Sequence, residues 1–181
     1  YYYASAVLGK LVGMTIQALR LTSILSTLGC FAMIYLLVWT EIRKHLPAIA
    51  AVGLYAGCYT VCQEWFDLGR LDSFFIFLVL LAMYATRRLN PVLAAVLWTL
   101  AFQTKQSILP AAFLMLCFNW KDIKRTAAGV ITLAIGAAGS VAWFNHATQG
   151  WYSFYVFKVP KANMDISLRK LALFFSADLM R

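Results

Sequence analysis

Long apolar stretches separated by short polar loops run along most of the chain. Several stretches approach the length of about twenty residues that a helix needs to cross the hydrocarbon core of a bilayer. A helix satisfies its own backbone hydrogen bonds in lipid, and the alternating polarity of membrane-spanning strands is missing from the sequence. The pattern predicts an all-α fold, a polytopic transmembrane helical bundle of about six membrane segments. The predicted segments are Leu21–Thr40, Leu46–Val61, Ser73–Ala85, Pro91–Phe102, Ile108–Phe118 and Thr126–Phe144.

The N-terminal stretch carries a different pattern. Lys10, Gly13, Gln17 and Arg20 recur at helical spacing, while apolar residues face the other way. This predicts an amphipathic helix that lies in the membrane interface and leads into the first membrane segment. The expected organisation is one transmembrane domain over residues 1–181, with an interfacial helix at 1–20, membrane segments over 21–144 and an outer-face segment at 145–181.

Composition supports the membrane interpretation. The chain is 62% hydrophobic and 13% charged, whereas a soluble domain is about half apolar and about a quarter charged. The net charge of +9 does not indicate a nucleic acid partner, because the basic residues gather in short loops. With the Glu41–His45 loop in the cytoplasm, the positive-inside rule places the Gln103–Ser107 turn and residues 64–72 on the outer face. The basic residues then assigned to the cytoplasmic side are Arg43, Lys44, Arg87, Arg88, Lys121, Lys124 and Arg125.

Residues 64–72 hold three of the seven acidic residues, between two apolar stretches. Acids are costly beside hydrocarbon, so such a cluster at a membrane edge indicates a functional site. Glu64, Asp67 and Asp72 are suited to bind sugar hydroxyls, to hold a divalent metal or to act as a general base. Two structural alternatives stay open: Asp72 caps the helix that starts at Ser73, and Glu64 only marks the end of the preceding segment. The sequence defines no cofactor and no set of metal ligands, and a divalent metal held by these acids stays open.

Two outer-face cations are candidate phosphate ligands. The planar fork of Arg70 suits two phosphate oxygens at once, and the alternative is a local ion pair with Asp67. Lys105 lies between two apolar segments that are short for a bilayer, in a polar turn with Gln106. There it either binds a lipid phosphate as a point charge or extends to the interface.

The aromatic segment Gly150–Pro160 is a further candidate surface. Trp151, Tyr155 and Lys158 are suited to contact a sugar ring or a polyprenyl chain. The alternative is an interfacial belt of aromatic residues, which occurs in most membrane proteins.

Taken together, six stretches resemble one family, the C-type (GT-C) superfamily of integral-membrane glycosyltransferases. Its bacterial members include protein O-mannosyltransferases and the aminoarabinose transferase of lipid A. The resemblance implies inverting transfer of a sugar from a polyprenyl-phosphate donor to a cell-envelope glycan, lipid or protein. It also implies the bacterial inner membrane, with the active site facing the periplasm or exterior. The stretches are Tyr1–Tyr3, Gly9–Gly13, Arg20–Ser23, Trp65–Ser73, Leu100–Gln106 and Gly150–Pro160.

The resemblance also limits what this chain is expected to contain. The principal catalytic acid of that superfamily lies in a first outer loop, which would precede Tyr1. We therefore expect a fragment that lacks the first span and first outer loop and is inactive alone. The match implies donor-phosphate contacts for Arg70 and Lys105, with Asp67 and Asp72 as supporting residues.

Two other classes of function remain. A non-enzymatic transporter or lipid flippase also has interrupted helices and charged residues near its transport path, but it places polar groups at mid-membrane. Here the charges lie at the ends of the apolar stretches. A structural subunit without a site would leave the acidic cluster unexplained.

Overall fold

The computed structural model describes residues 1–62, 66–118 and 122–163. Every regular element within these ranges is helical, which confirms the predicted class. A 3₁₀ turn at Gln106–Ile108 and a π-helical turn at Phe154–Lys158 accompany the α-helices. The helices are α1 (Tyr2–Val12), α2 (Ile16–Ile42), α3 (His45–Gly57), α4 (Leu71–Arg88), α5 (Pro91–Thr104), α6 (Leu109–Cys117), α7 (Ile123–Ala147), α8 (Trp151–Ser153) and α9 (Val159–Asn163).

Among the described helices, α2 and α7 are long and apolar enough to cross a membrane. They contain the first and last predicted segments and extend beyond both. Helix α3 ends at Gly57, four residues before the predicted boundary at Val61, because the chain turns at Cys58. Helices α3, α5 and α6 are apolar but shorter than the roughly twenty residues of a perpendicular span. The six-segment topology stays a prediction.

The predicted single helix over residues 1–20 is wrong. Helix α1 ends at Val12, and Gly13 has φ 100, in the left-handed region that glycine adopts without a steric penalty. Helix α2 then begins at Ile16, so Lys10 lies on one helix and Arg20 on the next. The polar residues keep their helical spacing across the break at residues 13–15, so the sequence pattern gives no sign that the helix ends there.

The chain divides into two compact units, residues 1–137 and 138–181. In the first unit, α4 packs against both α2 and α5. Alanines on α4 and α5 let these helices approach closely. Trp98 of α5 is almost fully buried, and its Nε1 donates a hydrogen bond of 3.0 Å to Oγ1 of Thr86 on α4. This packing fixes the relative positions of the ends of the two helices.

The first unit has a basic end. Arg87 and Arg88, at the end of α4, lie 3.1 and 3.2 Å from a carboxylate oxygen of Glu41 at the end of α2. Arg125 donates a hydrogen bond of 2.8 Å to the carbonyl oxygen of Leu89. The cations assigned to the cytoplasmic loops thus include several that meet at one end, although Lys121 lies outside the described residues. The acids Asp67 and Asp72 lie toward the other end, where α2 and α4 begin.

The second unit is described to Asn163. After α7, Gln149 and Gly150 have φ 52 and φ 92, and this turn leads into α8. The ring of Tyr152 stacks on Phe144, with centroids 5.4 Å apart and planes inclined by 24°.

Candidate functional site

A buried carboxylate at the start of α4 binds two cations. Oδ1 of Asp72 lies 2.6 Å from Nζ of Lys105, and Oδ2 lies 3.3 Å from Nε of Arg70. The side chain of Asp72 is 13% exposed, whereas those of Arg70 and Lys105 are 50% and 39% exposed. The carboxylate therefore lies beneath two cationic groups that reach solvent, and we call Arg70, Asp72 and Lys105 the cation pair site.

Local structure explains how Lys105 reaches this position. Helix α5 starts at Pro91, a residue suited to a first helical turn, and Oδ1 of Asn90 accepts a hydrogen bond of 2.8 Å from the backbone N–H of Val92. After the antiparallel return, α5 ends at Thr104 and Lys105 adopts an extended conformation beside the start of α4. Its Nζ also lies 5.3 Å from the ring centroid of Phe75, within range of a cation–π attraction.

The cation pair site borders a cavity of about 300 Å³. Arg70, Asp72 and Lys105 line it together with Tyr2, Gly69 and Leu71. Among the described side chains, Asp72 contacts both cations, and its own charge is further stabilised in the first turn of α4 by the positive end of the helix dipole. The arrangement is suited to an anionic group that contacts both cations.

Asp67 has a separate set of partners. Its Oδ2 lies 2.9 Å from Nη2 of Arg20, and its Oδ1 accepts a hydrogen bond of 2.9 Å from the hydroxyl of Tyr59. The Arg20 hydrogen bond, followed by that of Tyr59, holds the pKa of the Asp67 carboxyl below its usual range. Asp67 therefore stays ionised near neutral pH and is a weak proton acceptor.

These contacts correct two of the structural alternatives. Arg70 does not pair with Asp67, since its guanidinium binds Asp72 while Asp67 binds Arg20. Asp72 does not cap α4, because Arg70 holds the N-cap position and Asp72 lies inside the first turn. For Lys105, the alternative was a side chain that only extends to the membrane interface. The structure adds an ion pair between Lys105 and Asp72, which that alternative did not include. Glu64 lies outside the described residues.

Comparison with known families shows to which family the chain belongs. The family model of glycosyltransferase family 87 matches residues 4–179, nearly the whole chain. The chain belongs to glycosyltransferase family 87. Family 87 membership implies a transferase that acts on a sugar donor and an acceptor, and the apolar helices are consistent with a membrane protein. No curated protein and no solved structure matches the chain significantly.

The remaining site candidates of the family 87 chain fall in two places. Gln106 follows Lys105 in the 3₁₀ turn and is half-buried. Trp151, Tyr155 and Lys158 belong to the second unit, where all three are exposed. The rings of Trp151 and Tyr155 stack with centroids 5.7 Å apart and planes inclined by 23°, which presents a flat aromatic surface.

Sequence reasoning missed the residues that hold the loop before α4. The hydroxyl of Ser23 donates a hydrogen bond of 3.0 Å to the carbonyl oxygen of Arg70. That of Thr27 donates one of 2.7 Å to the carbonyl oxygen of Phe66. Both lie on the buried face of α2. The signal was present as hydroxyl residues four apart in an otherwise apolar stretch, a spacing that places them on one helical face.

The described parts of the chain contain no cluster of side chains that could serve as metal ligands. Within them, no group of three or more His, Cys, Asp or Glu side chains is arranged to hold a metal ion. Asp67 and Asp72 each bind cationic side chains instead.

Proposed function

We propose that this family 87 protein transfers a sugar from a polyprenyl-phosphate donor to a cell-envelope acceptor, and that Arg70 and Lys105 bind the donor phosphate. The observation that carries the proposal is the cation pair site, in which one buried carboxylate holds both cations at the edge of a cavity of about 300 Å³. The family supplies the transferase activity. The chemistry of the cluster supports a phosphate-linked donor.

The charge change during transfer explains the need for two cations. A polyprenyl-phosphate sugar is a phosphodiester with one negative charge. As the acceptor oxygen attacks the anomeric carbon, the bond from that carbon to the phosphate oxygen breaks and the leaving phosphate gains a second negative charge. Fixed positive groups stabilise this developing charge without reorganisation. Arg70 offers a planar pair of donors and Lys105 a compact charge, so together they suit the phosphate oxygens.

Asp72 acts in this proposal as a positioning residue. Its contacts with Lys105 and Arg70 bring two like charges together before the donor binds. Without this carboxylate, repulsion between the cations would favour separate orientations. In this proposal the donor phosphate contacts both cations at the position that Asp72 gives them.

The acceptor proton goes to a base other than Asp67. Hydrogen bonds from Arg20 and Tyr59 keep that carboxylate ionised and occupied. Through its ion pair with Arg20, Asp67 instead connects the first part of α2 to the loop that leads to Arg70.

We propose an inner-membrane protein with the cation pair site toward the periplasm or exterior. Arg87 and Arg88 lie at the opposite end of α4 from Asp72. The positive-inside rule assigns that basic end to the cytoplasm. In this arrangement α2 and α7 span the membrane, and the shorter helices complete about six segments by tilting or by local thinning of the bilayer.

The aromatic surface of the second unit is proposed to contact the sugar or the polyprenyl chain. Trp151 and Tyr155 present stacked, exposed rings, and Lys158 adds a cation three residues after Tyr155. Aromatic rings offer apolar faces together with polar edges, which suits either part of the donor. Gln106 is assigned a supporting hydrogen bond to the donor on the basis of its place beside Lys105.

The deciding experiment is transfer by the intact protein in membranes supplied with a panel of radiolabelled polyprenyl-phosphate sugars. Arg70→Ala and Lys105→Met should each raise the donor KM by about tenfold or more, because a charge-assisted bond is lost. Arg87→Ala and Lys124→Met, at the basic end, are the matched controls and should leave the donor KM unchanged. Failure of transfer with every donor, together with lipid or solute movement across vesicles, would favour the transporter or flippase.

A further inference from the structure

Two buried hydroxyl groups on α2 hold the loop over residues 66–70, which carries Arg70, by hydrogen bonds to its backbone. Ser23 is fully buried, and its Oγ donates to the carbonyl oxygen of Arg70 at 3.0 Å. One helical turn further on, buried Thr27 donates to the carbonyl oxygen of Phe66 at 2.7 Å. The two bonds hold both ends of the segment 66–70.

The carbonyl oxygen of Phe66 accepts a hydrogen bond from a second hydroxyl group. Oγ of Ser73, in the first turn of α4, also donates to the carbonyl oxygen of Phe66, at 3.2 Å. Ser73 is itself fixed through its carbonyl oxygen, which lies 3.7 Å from Sγ of Cys30 on α2. Phe66 O thus receives donors from two helices, and buried carbonyl oxygens are rarely left without a donor.

The loop also lies unusually close to α2 at Gly69. A Cβ atom built on Gly69 would be 2.9 Å from Cβ of Leu19. Only a residue without a side chain allows this approach, and the approach brings the Arg70 carbonyl within reach of Ser23. The hydrogen bonds and the close packing are independent observations that give the loop one position against α2.

We infer that Ser23 and Thr27 are positioning residues for donor binding, and that they act by fixing the backbone from which Arg70 reaches the cation pair site. This rests on the proposed role of Arg70 in binding the donor phosphate. The distance from Arg70 Nε to Asp72 Oδ2 depends on where the loop backbone lies. Loss of a buried anchor lets the backbone at Arg70 move, so the guanidinium occupies the productive position for a smaller fraction of the time.

The same helix provides matched controls. Thr22 and Ser26 are as buried as Thr27 and Ser23, but their hydroxyls donate to carbonyl oxygens of α2 itself, those of Ala18 and Thr22. Removal of these hydroxyls also deletes a buried hydrogen bond on α2, but one that does not involve the loop. The informative pairs are Ser23→Ala against Ser26→Ala and Thr27→Val against Thr22→Val. Thr27→Ser keeps the hydroxyl and serves as the conservative variant.

Two readouts on the intact protein test the inference. The first is hydrogen–deuterium exchange of the backbone amides of residues 66–70 in detergent, and the second is the donor KM and kcat for transfer. Ser23→Ala and Thr27→Val should increase exchange in this segment and raise the donor KM by about fivefold to tenfold with a smaller change in kcat, as loss of a buried hydrogen bond predicts. Thr27→Ser, Ser26→Ala and Thr22→Val should match the wild type in both.

A double substitution isolates the route of the effect. In an Arg70→Ala background, Ser23→Ala should raise the donor KM no further, because the group that it positions is absent. Unchanged exchange in Ser23→Ala and Thr27→Val would overturn the inference. So would increased exchange with an unchanged donor KM in both variants, provided that Arg70→Ala raises that KM. If Arg70→Ala itself has no effect on the KM, the phosphate role of Arg70 is wrong and the inference is overturned with it.

Discussion

Nζ of Lys105 lies 2.6 Å from Oδ1 of Asp72, although 33 positions separate the two residues in the chain. Antiparallel packing of α4 and α5 creates this contact, since the start of one helix lies beside the end of the other. Asp72 simultaneously contacts Arg70, which immediately precedes α4. Asp72 therefore links a cation two residues away in the sequence to one that is 33 residues away.

Asp72→Asn should lower kcat/KM for the donor by about tenfold or more, because the amide keeps the shape of the side chain but no longer offsets the repulsion between Arg70 and Lys105. Transfer assays over a range of donor concentrations measure this effect. Asp122→Asn, which alters an exposed acid at the basic end, is the control. Wild-type kcat/KM in Asp72→Asn would show that the two cations need no carboxylate between them.

Stability should depend on pH through Asp67. The pKa of this carboxyl is lower in the folded protein than its ordinary value of about 4. Its contribution to stability is therefore fully present above that value and is lost as the pH falls through the lowered one. Asp67→Asn should reduce the Tm at pH 7, and the difference from wild type should shrink in acid. A Tm difference that stays constant down to the lowest accessible pH would show that the carboxylate charge does not stabilise the fold.

Gly69→Ala should destabilise the protein by about 1–3 kcal/mol, since the new methyl group would overlap Leu19 at 2.9 Å and force the loop away from α2. Thermal unfolding in detergent measures the loss. Gly53→Ala in α3 is the control, because a Cβ there meets nothing within 4 Å. Equal Tm values for Gly69→Ala and wild type would mean that the loop tolerates displacement.

The orientation of the first unit predicts which surface a membrane-impermeant thiol reagent reaches. In a background whose four native cysteines are replaced by serine, Leu68→Cys should react from the outer side of sealed vesicles. Lys124→Cys should react only after permeabilisation. Both positions are exposed, so accessibility within the protein does not separate them. The reverse order of labelling would invert the proposed topology.

Several features followed from the sequence because they depend on local order. Apolar stretches of helical length and the absence of alternating polarity indicate a helical class. The first and last predicted membrane segments lie within α2 and α7 for the same reason. The break at Gly13 was missed, because a polar pattern with helical spacing continues through a residue whose positive φ only the structure reveals.

The sequence by itself determined that acids and cations gather near the ends of apolar helices, and that Arg70, Asp72 and Lys105 are candidates for one site. Only the tertiary structure decided their partners: Arg70 with Asp72 rather than Asp67, Lys105 with Asp72, and Asp67 with Arg20. It also decided that Ser23 supports the site. An ion pair or buried hydrogen bond forms between groups that packing brings within about 3 Å, and the spacing of residues along the chain does not contain that distance.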